Sequence, residues 1–335
     1  MMRAEDWVQV RPEGLFVVPG GFFVDPVRAV EHAVITHGHS DHARAGHGAV
    51  LATPGTLAIM RARGALAEGQ AAQALDHGDW VTVGAVRVAL APAGHVLGSA
   101  QAVLEHRGQR VVVSGDYKRR ADPTCAPFEP VACDVFVTEA TFGLPVFRHP
   151  PDDREVARLL AARAANPDRC LLVGVYALGK AQRLIALLRR AGYDRPIYIH
   201  GALAGLCRLY EAAGVALGPL SPVAGMAKAA LAGEIVLAPP SSGSDLWTRR
   251  LPDPLVAMAS GWMGVRQRAR QRGVELPLVI SDHADWDELT QTLADVGAPE
   301  VWVTHGREEA LIHHATQAGF RARALALIGF DEEGA

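Results

Sequence analysis

The stretch Thr36-His37-Gly38-His39-Ser40-Asp41-His42 sets the tightest limit on how this chain can fold. Three imidazoles and a carboxylate fall within six residues, directly after Ala33-Val34-Ile35, a short β-branched apolar run that predicts a buried strand. The fold must therefore hold a polar, ligand-rich loop at the end of a strand. Imidazole and carboxylate together suit Zn, Mn or Fe. On an extended segment His37 and His39 share one side, and Asp41 and His42 follow on a turn. One cation can take the first pair and a second cation the other.

Three further places repeat the form of an apolar run followed by a ligand. His95 comes after Ala91-Pro92-Ala93-Gly94, Asp116 after Val111-Val112-Val113-Ser114-Gly115, and His305 after Val303-Thr304 and before Gly306. A lone histidine at a strand end is usually a hydrogen-bonded structural residue. Beside a loop that already carries four donors, these become candidate ligands. The loop itself reads HxHxDH and resembles the signature of the metallo-β-lactamase superfamily. With that resemblance a two-metal site is expected, built from Zn and/or Mn. His37, His39 and His95 hold one ion, Asp41, His42 and His305 hold the other, and Asp116 bridges. The remaining histidines, His32, His47, His77, His106, His149, His200, His313 and His314, are read as surface or hydrogen-bonded residues.

With 335 residues the chain can bury a large core and form two domains. A net charge of −3 provides no global positive field, so contact with nucleic acid has to come from local basic patches. Cys125, Cys133, Cys170 and Cys207 form no CxxC pair and read as buried thiols of a reducing compartment. The first ten residues lack an apolar core of the kind a signal peptide needs, and no apolar run is long enough to span a bilayer. A cytoplasmic protein without membrane contact is expected.

The first part predicts short strands over 14–18, 33–36, 49–52, 86–91, 101–105 and 110–113, with a helix opened by Thr53-Pro54 and running to about Arg61. After His149-Pro150-Pro151 the pattern changes to alternating helices and strands: helix 152–165, strand 170–175, helix 180–191, strand 197–200, helix 203–213, and strands 234–238 and 255–259. That alternation predicts a parallel sheet. Beyond about 276–281 the chain returns to the first pattern, with strand 301–304, a helix from about Glu308 and strand 323–328. The expected architecture is α/β: a metallo-β-lactamase αββα sandwich formed by residues 1–148 and 279–335, with an α/β domain inserted over 149–278.

Thr138-Glu139-Ala140-Thr141-Phe142-Gly143 follows the apolar run Val135-Phe136-Val137, and Ser281-Asp282-His283 follows Leu278-Val279-Ile280. With His305, these segments resemble motifs A, B and C of the β-CASP nucleases, the nucleic-acid-processing branch of the superfamily. In that branch the insert lies between motifs A and B. The segments 91–100, Ser114-Gly115-Asp116-Tyr117-Lys118-Arg119 and Tyr176-Ala177-Leu178-Gly179-Lys180-Ala181-Gln182 resemble the bacterial ligase-associated DNA damage response exonucleases. Ala259-Ser260-Gly261-Trp262 is similar to the PTGW segment of Artemis/Apollo-type nucleases. His305, by contrast, matches the RNA-processing relatives.

The resemblance implies a metal-dependent DNA exonuclease, 5′-to-3′ on single-stranded or free-ended DNA, in bacterial DNA repair and linked in function to a DNA ligase and a helicase. Asp41, Asp116, Glu139 and His283 are its expected catalytic residues, with His283 as general acid oriented by Glu139. Lys118, Lys180, Ser241, Ser242, Gly243 and Ser281 are expected to bind substrate. The Pro239 to Ser244 segment is either a plain loop or an anion-binding nest. Arg266, Arg268, Arg270 and Arg272 lie on a predicted helix and cannot all share one face. Gly174 to Lys180 spells GxxxxGK, but Ala181 stands where a P-loop needs Ser or Thr, so ATP binding is not expected. A ribonuclease of the same fold is the nearest alternative. A small-molecule hydrolase would lack the insert and motifs A to C, and a non-catalytic binding module would have lost ligands.

Overall fold

A computed structural model describes residues 3–244 and 246–325. The chain divides into two compact units, one of residues 1–148 with 283–335 and one of residues 149–282.

The first unit is built on two sheets. One has the strand order Val8–Arg11, Gly14–Val17, Phe22–Val24, His32–Val34, Ala49–Ala52, Ala71–Ala74. The other has the order Arg321–Ala324, Glu300–Gly306, Val135–Ala140, Gln109–Val113, Ala100–His106, Val86–Pro92, Trp80–Val83. Alternate residues of both sheets meet in one apolar layer that includes Leu15, Val17, Phe22 and Val34 from the first, and Val88, Leu104, Val111, Val137 and Trp302 from the second. The opposite faces are covered by helices. Leu57 and Met60 of helix Pro54–Ala62 pack with Ala33, Ile35 and Val50. Helices Trp286–Val296 and Glu308–Gln317 place Leu289, Leu293, Leu311 and Ala315 against Val103, Val112, Phe136 and Val303. Burial on both faces explains why these strands read as apolar runs instead of alternating. The result is the four-layer αββα sandwich.

Strand direction brings the candidate ligands to one edge. Gln109–Val113, Val135–Ala140 and Glu300–Gly306 are parallel neighbours. Val86–Pro92 and Gln109–Val113 are each antiparallel to Ala100–His106, so they run the same way as each other. The carboxyl ends that precede His95 and Asp116, and those that carry Glu139 and His305, therefore share one edge of the sheet.

The second unit is a six-stranded, wholly parallel sheet in the order Leu220–Pro222, Ile197–Ile199, Ile235–Ala238, Leu171–Gly174, Leu255–Ala259, Leu276–Leu278. Helices Lys180–Arg190, Gly201–Ala212 and Arg266–Gln271 lie on its crossovers, and Asp152–Ala165 precedes its first strand. The boundary with the closing segment falls after Asp282 and not after residue 278. The reason is pairing: Leu276–Leu278 joins the inserted sheet beside Leu255–Ala259, and the Val279 N–H donates to the Glu155 carboxylate at 2.9 Å.

The helix Trp286–Val296 was not anticipated, although its N-terminus carries a reciprocal Asp285/Glu288 capping box. The strand Ala71–Ala74 was also missed, since its Ala-Ala-Gln-Ala sequence has low β-propensity and is exposed throughout. The expected last strand appears as Arg321–Ala324, and residues 326–328 lie outside the described residues. Among the described residues no helix is long and apolar enough to cross a membrane.

Candidate metal centre

The loop after His32–Val34 is held from behind by Asp25, which follows the neighbouring strand Phe22–Val24. The Asp25 carboxylate accepts the Thr36 N–H at 2.8 Å and the Thr36 hydroxyl at 2.5 Å, and its Oδ2 lies 2.8 Å from His42 Nδ1. Asp25 is buried and has a left-handed φ of 44°. With Nδ1 engaged on a carboxylate, His42 is left with Nε2 for a metal. Asp25 escaped the sequence reading. The signal was present, since Phe22-Phe23-Val24-Asp25 repeats the form of apolar strand then ligand.

His37, His39, His95 and Asp116 each bring one ligand atom into a group whose members all lie within 4.8 Å of one another. His39 Nδ1 and His95 Nε2 are 2.9 Å apart. Asp116 Oδ2 lies 3.3 Å from His37 Nε2, 3.4 Å from His42 Nε2 and 3.7 Å from His95 Nε2. One carboxylate oxygen thus faces three imidazole nitrogens. The Asp41 carboxylate, more exposed, is 3.8 Å from His42 Nε2. The His305 ring lies against that of His42 with centroids 5.3 Å apart.

A bulge puts His305 there. In the parallel ladder Glu139 pairs with Thr304 and Ala140 with Gly306, so His305 is the extra residue, pushed out of the strand. Both His305 and Gly306 take positive φ, 59° and 88°. A Cβ on Gly306 would sit 2.4 Å from the Ala140 carbonyl oxygen, so only glycine fits after the bulge. Gly94 does a similar service before His95: its φ is 75°, and a Cβ would strike the Lys118 carbonyl oxygen at 2.2 Å.

The electrostatics suit a cation. Burial drives the His37 imidazole well below its ordinary pKa, and the neighbouring His42 adds to this. Burial also lowers His305, to about 4. Both rings are therefore neutral at pH 7, the form that binds metal. His42 goes the other way. Burial opposes its charge, but the Asp116 and Asp25 carboxylates overcome this and hold its pKa well above the usual value. Burial likewise opposes the charge on Asp116, and His42, His283 and His37 outweigh it, so Asp116 is ionised well below the usual carboxylate range. The donor set, with imidazoles around an anionic oxygen, fits a divalent ion.

Beside this cluster lies a second arrangement. His283 Nδ1 is 3.1 and 3.0 Å from the two oxygens of Glu139. Glu139 Oε1 also accepts the Tyr117 N–H at 2.8 Å, and Oε2 accepts the Thr141 hydroxyl at 2.5 Å. The His283 ring is 4.7 Å from that of His95, which puts the Glu139–His283 pair at the wall of the metal cluster.

The residues expected to bind substrate are placed differently from one another. Lys118 belongs to the first unit, is buried, and donates from Nζ to the His283 carbonyl oxygen at 3.3 Å. Arg119 and Arg120 pair with helix Trp286–Val296 and its cap, through Asp295 and through Asp285 and Glu288. Lys180, Ser241, Ser242, Gly243 and Ser281 all lie in the second unit. There the Lys180 side chain is 1% exposed, with Nζ 3.0 Å from Asp282 Oδ1 and 4.6 Å from the Tyr176 ring centre. Ser242 and Ser281 are buried, Ser241 is exposed, and Pro240–Ser244 forms a 3-10 turn. His47, close in sequence to the metal loop, is buried and lies with Nδ1 3.4 Å from the Val30 N–H.

The sequence profile described as the metallo-beta-lactamase superfamily matches residues 24–174. Among curated proteins, the chain is 30% identical over 318 residues to a protein of Opitutus terrae named probable DNA ligase, an alignment covering 93% of this chain and 30% of that one. It is 32% identical over 146 residues to endoribonuclease ysh-1 of Neurospora crassa, covering 41% of this chain and 17% of the relative. Against ribonuclease TTHA0252 of Thermus thermophilus it is 27% identical, covering 94% of this chain and 89% of that protein. The chain thus spans less than a third of the length of the first two. A solved structure of an Enterococcus faecalis protein of unknown function superposes with a TM-score of 0.61 at 14% identity, covering 89% of this chain and 80% of that one, a likeness of fold.

Proposed function

This chain carries a domain of the metallo-β-lactamase superfamily, with β-CASP nucleases among its relatives, and we propose that it is a metal-dependent DNA exonuclease that hydrolyses phosphodiesters. The observation that carries the reading is the pairing of Glu139 with His283 at the wall of a His/Asp cluster. A metal site alone serves many hydrolases. A metal site with a carboxylate-bound imidazole serves a reaction whose leaving oxygen needs a proton.

In this reading His37, His39, His95, Asp41, His42, His305 and Asp116 would hold two divalent ions, Zn or Mn. Bound ions supply Lewis-acid stabilisation of the charge that builds on the phosphoryl oxygens and activation of the attacking water. The chain's own groups do the rest. Asp41, the more exposed carboxylate, would accept the proton of the attacking water, and Asp116 would stay ionised as a metal ligand. As the new P–O bond forms, the bond to the leaving oxygen breaks and its electron pair stays with that oxygen. His283 donates the proton from Nε2, while Nδ1–H stays on Glu139, which stabilises the imidazolium before transfer. Lys118 adds positive charge beside the acid through its bond to the His283 carbonyl. The inserted unit is proposed to be a β-CASP domain in which Lys180, Ser241, Ser242, Gly243 and Ser281 support substrate binding. Lys180 does so through Asp282, since its charge is already paired.

Similarity along 93% of the chain to a protein named probable DNA ligase supports DNA as the substrate and an association with ligation. A second reading, ribonuclease, is favoured by His305 and by the likeness to a protein named ribonuclease over nearly its whole length. Digestion of 5′- and 3′-end-labelled single-stranded DNA and RNA of one sequence, with Mn²⁺ and Zn²⁺ compared, separates them. The DNA reading expects faster loss of DNA, with label released from the 5′ end first. Equal or faster RNA cleavage overturns it in favour of the ribonuclease.

A further inference from the structure

Thr141 stands one residue beyond the strand Val135–Ala140 and is 8% exposed. Its hydroxyl lies 2.5 Å from Glu139 Oε2, and the Tyr117 N–H lies 2.8 Å from Oε1. Each carboxylate oxygen therefore receives one donor from a neighbouring element and shares His283 Nδ1 as the other. The two donors differ in kind. The Tyr117 N–H belongs to the backbone just past Asp116 and cannot be removed by a side-chain change. The Thr141 hydroxyl can be removed, and among the described bonds it is the only side-chain hydroxyl on the Glu139 carboxylate, since Thr138 Oγ1 donates to the Glu139 main-chain carbonyl. A carboxylate with one oxygen fixed can still turn about its Cγ–Cδ bond. Fixing the second oxygen stops that rotation and sets the plane in which the imidazole must lie.

The geometry points to Thr141 as a positioning residue for the proton transfer: its hydroxyl locks Glu139 so that His283 keeps Nδ1–H on the carboxylate and Nε2 as the atom that gives up the proton. This rests on the acid role of His283 set out above. Thr141 touches neither substrate nor metal ligand in this scheme. Its loss should slow only the step in which the leaving oxygen is protonated. Binding and metal loading should be untouched. A hydroxyl acting simply as part of the local packing would make no such distinction, because its loss would depress every substrate alike.

The test uses the full chain and three variants, Thr141→Val, Thr141→Ala and Thr141→Ser, with His283→Ala as reference. Each is assayed on an end-labelled oligonucleotide and on bis(4-nitrophenyl) phosphate, whose nitrophenolate departs without help from an acid, and each is analysed for metal content. Thr141→Val should lower kcat on the oligonucleotide roughly tenfold, a part of the 10²–10⁴-fold that general acid catalysis is worth. KM and metal content should hold, and the rate on the nitrophenyl ester should stay near that of the unaltered protein. Thr141→Ser should restore most of the loss. Thr141→Ala is read the same way if the valine variant does not fold. An equal loss on both substrates, a loss of metal, or a serine variant as slow as the valine one overturns the proposal. If His283→Ala discriminates between the substrates and Thr141→Val does not, only the role of Thr141 fails. If His283→Ala also fails to discriminate, the acid reading falls and this proposal with it.

Discussion

His283 and Glu139, 144 positions apart in sequence, meet with the imidazole Nδ1 about equally close to both carboxylate oxygens, at 3.1 and 3.0 Å. Such a contact orients the ring through Nδ1, and the ligand atoms of Asp116, Glu139 and His283 all lie within 4.8 Å of one another, so the pair borders the cluster at Asp116. Proton transfer can therefore be separated from metal binding by mutation. His283→Ala should keep its metal and bind nucleic acid nearly normally while kcat falls by 10²–10⁴-fold, on the order of 3–5 kcal/mol of barrier. Glu139→Gln should lose less, and the double mutant should lose little more than His283→Ala, because both act on one transfer. Loss of metal from His283→Ala would show a ligand instead.

Asp116 is the point on which the cluster converges, with one oxygen facing His37, His42 and His95. Asp116→Asn keeps the shape and removes the charge. Elemental analysis should find the metal content of the purified protein reduced from about two ions per chain, the two-metal arrangement, to less than one. Nuclease activity should disappear while the circular dichroism spectrum is retained. A folded Asn variant with full metal and activity would refute the bridging role.

Metal uptake should release a proton from His42. Its pKa is held well above the ordinary 6.5 by Asp116 and Asp25 against the cost of burial, so the ring of the metal-free protein is still protonated near neutrality. A cation has to displace that proton. Apparent affinity should therefore rise with pH up to the raised pKa and level off above it. Calorimetric titration in two buffers of different ionisation enthalpy measures the release directly. His37 and His305, already neutral, should add nothing to it at pH 7.

Asp25→Asn removes the charge that fixes His42 Nδ1 while leaving Thr36 an acceptor. Loss of such a partner typically costs 10–100-fold in metal affinity or activity. Chelator competition should show a loss of that size at the ion His42 holds, with kcat restored at saturating metal. Unchanged affinity would make Asp25 a packing residue only.

The parts of this architecture that were legible in the sequence are those whose chemistry is local. The metal loop could be read because four donors stand within six residues, and the insert because helices and strands alternate with a regular period. Three things were hidden, each for a physical reason. Asp25 acquires its role from the parallel register of Phe22–Val24 with His32–Val34, which a single chain pattern does not display. The outward turn of His305 comes from a bulge defined by its partner strand. Lys118 reads as substrate-binding because it follows Asp116, and Lys180 because it opens a helix in a family-like segment, but the buried main-chain carbonyl and carboxylate that hold them, at His283 and Asp282, lie over a hundred positions away in sequence. The Asp285–Glu288 capping box was readable and marks a helix that the apolar pattern alone did not reveal.

The strand Glu300–Gly306 lies between Val135–Ala140 and Arg321–Ala324. Every residue of Val135–Ala140 is buried in the finished protein, and on one side only the late strand covers it. During synthesis at 5–20 residues per second that edge stands open for roughly ten to thirty seconds while the intervening chain is made. An apolar, unpaired edge is a template for pairing with another nascent chain. This protein is consequently most exposed to aggregation midway through translation, and a chain cut short before residue 300 should be a target for chaperones or proteases instead of a weakened enzyme.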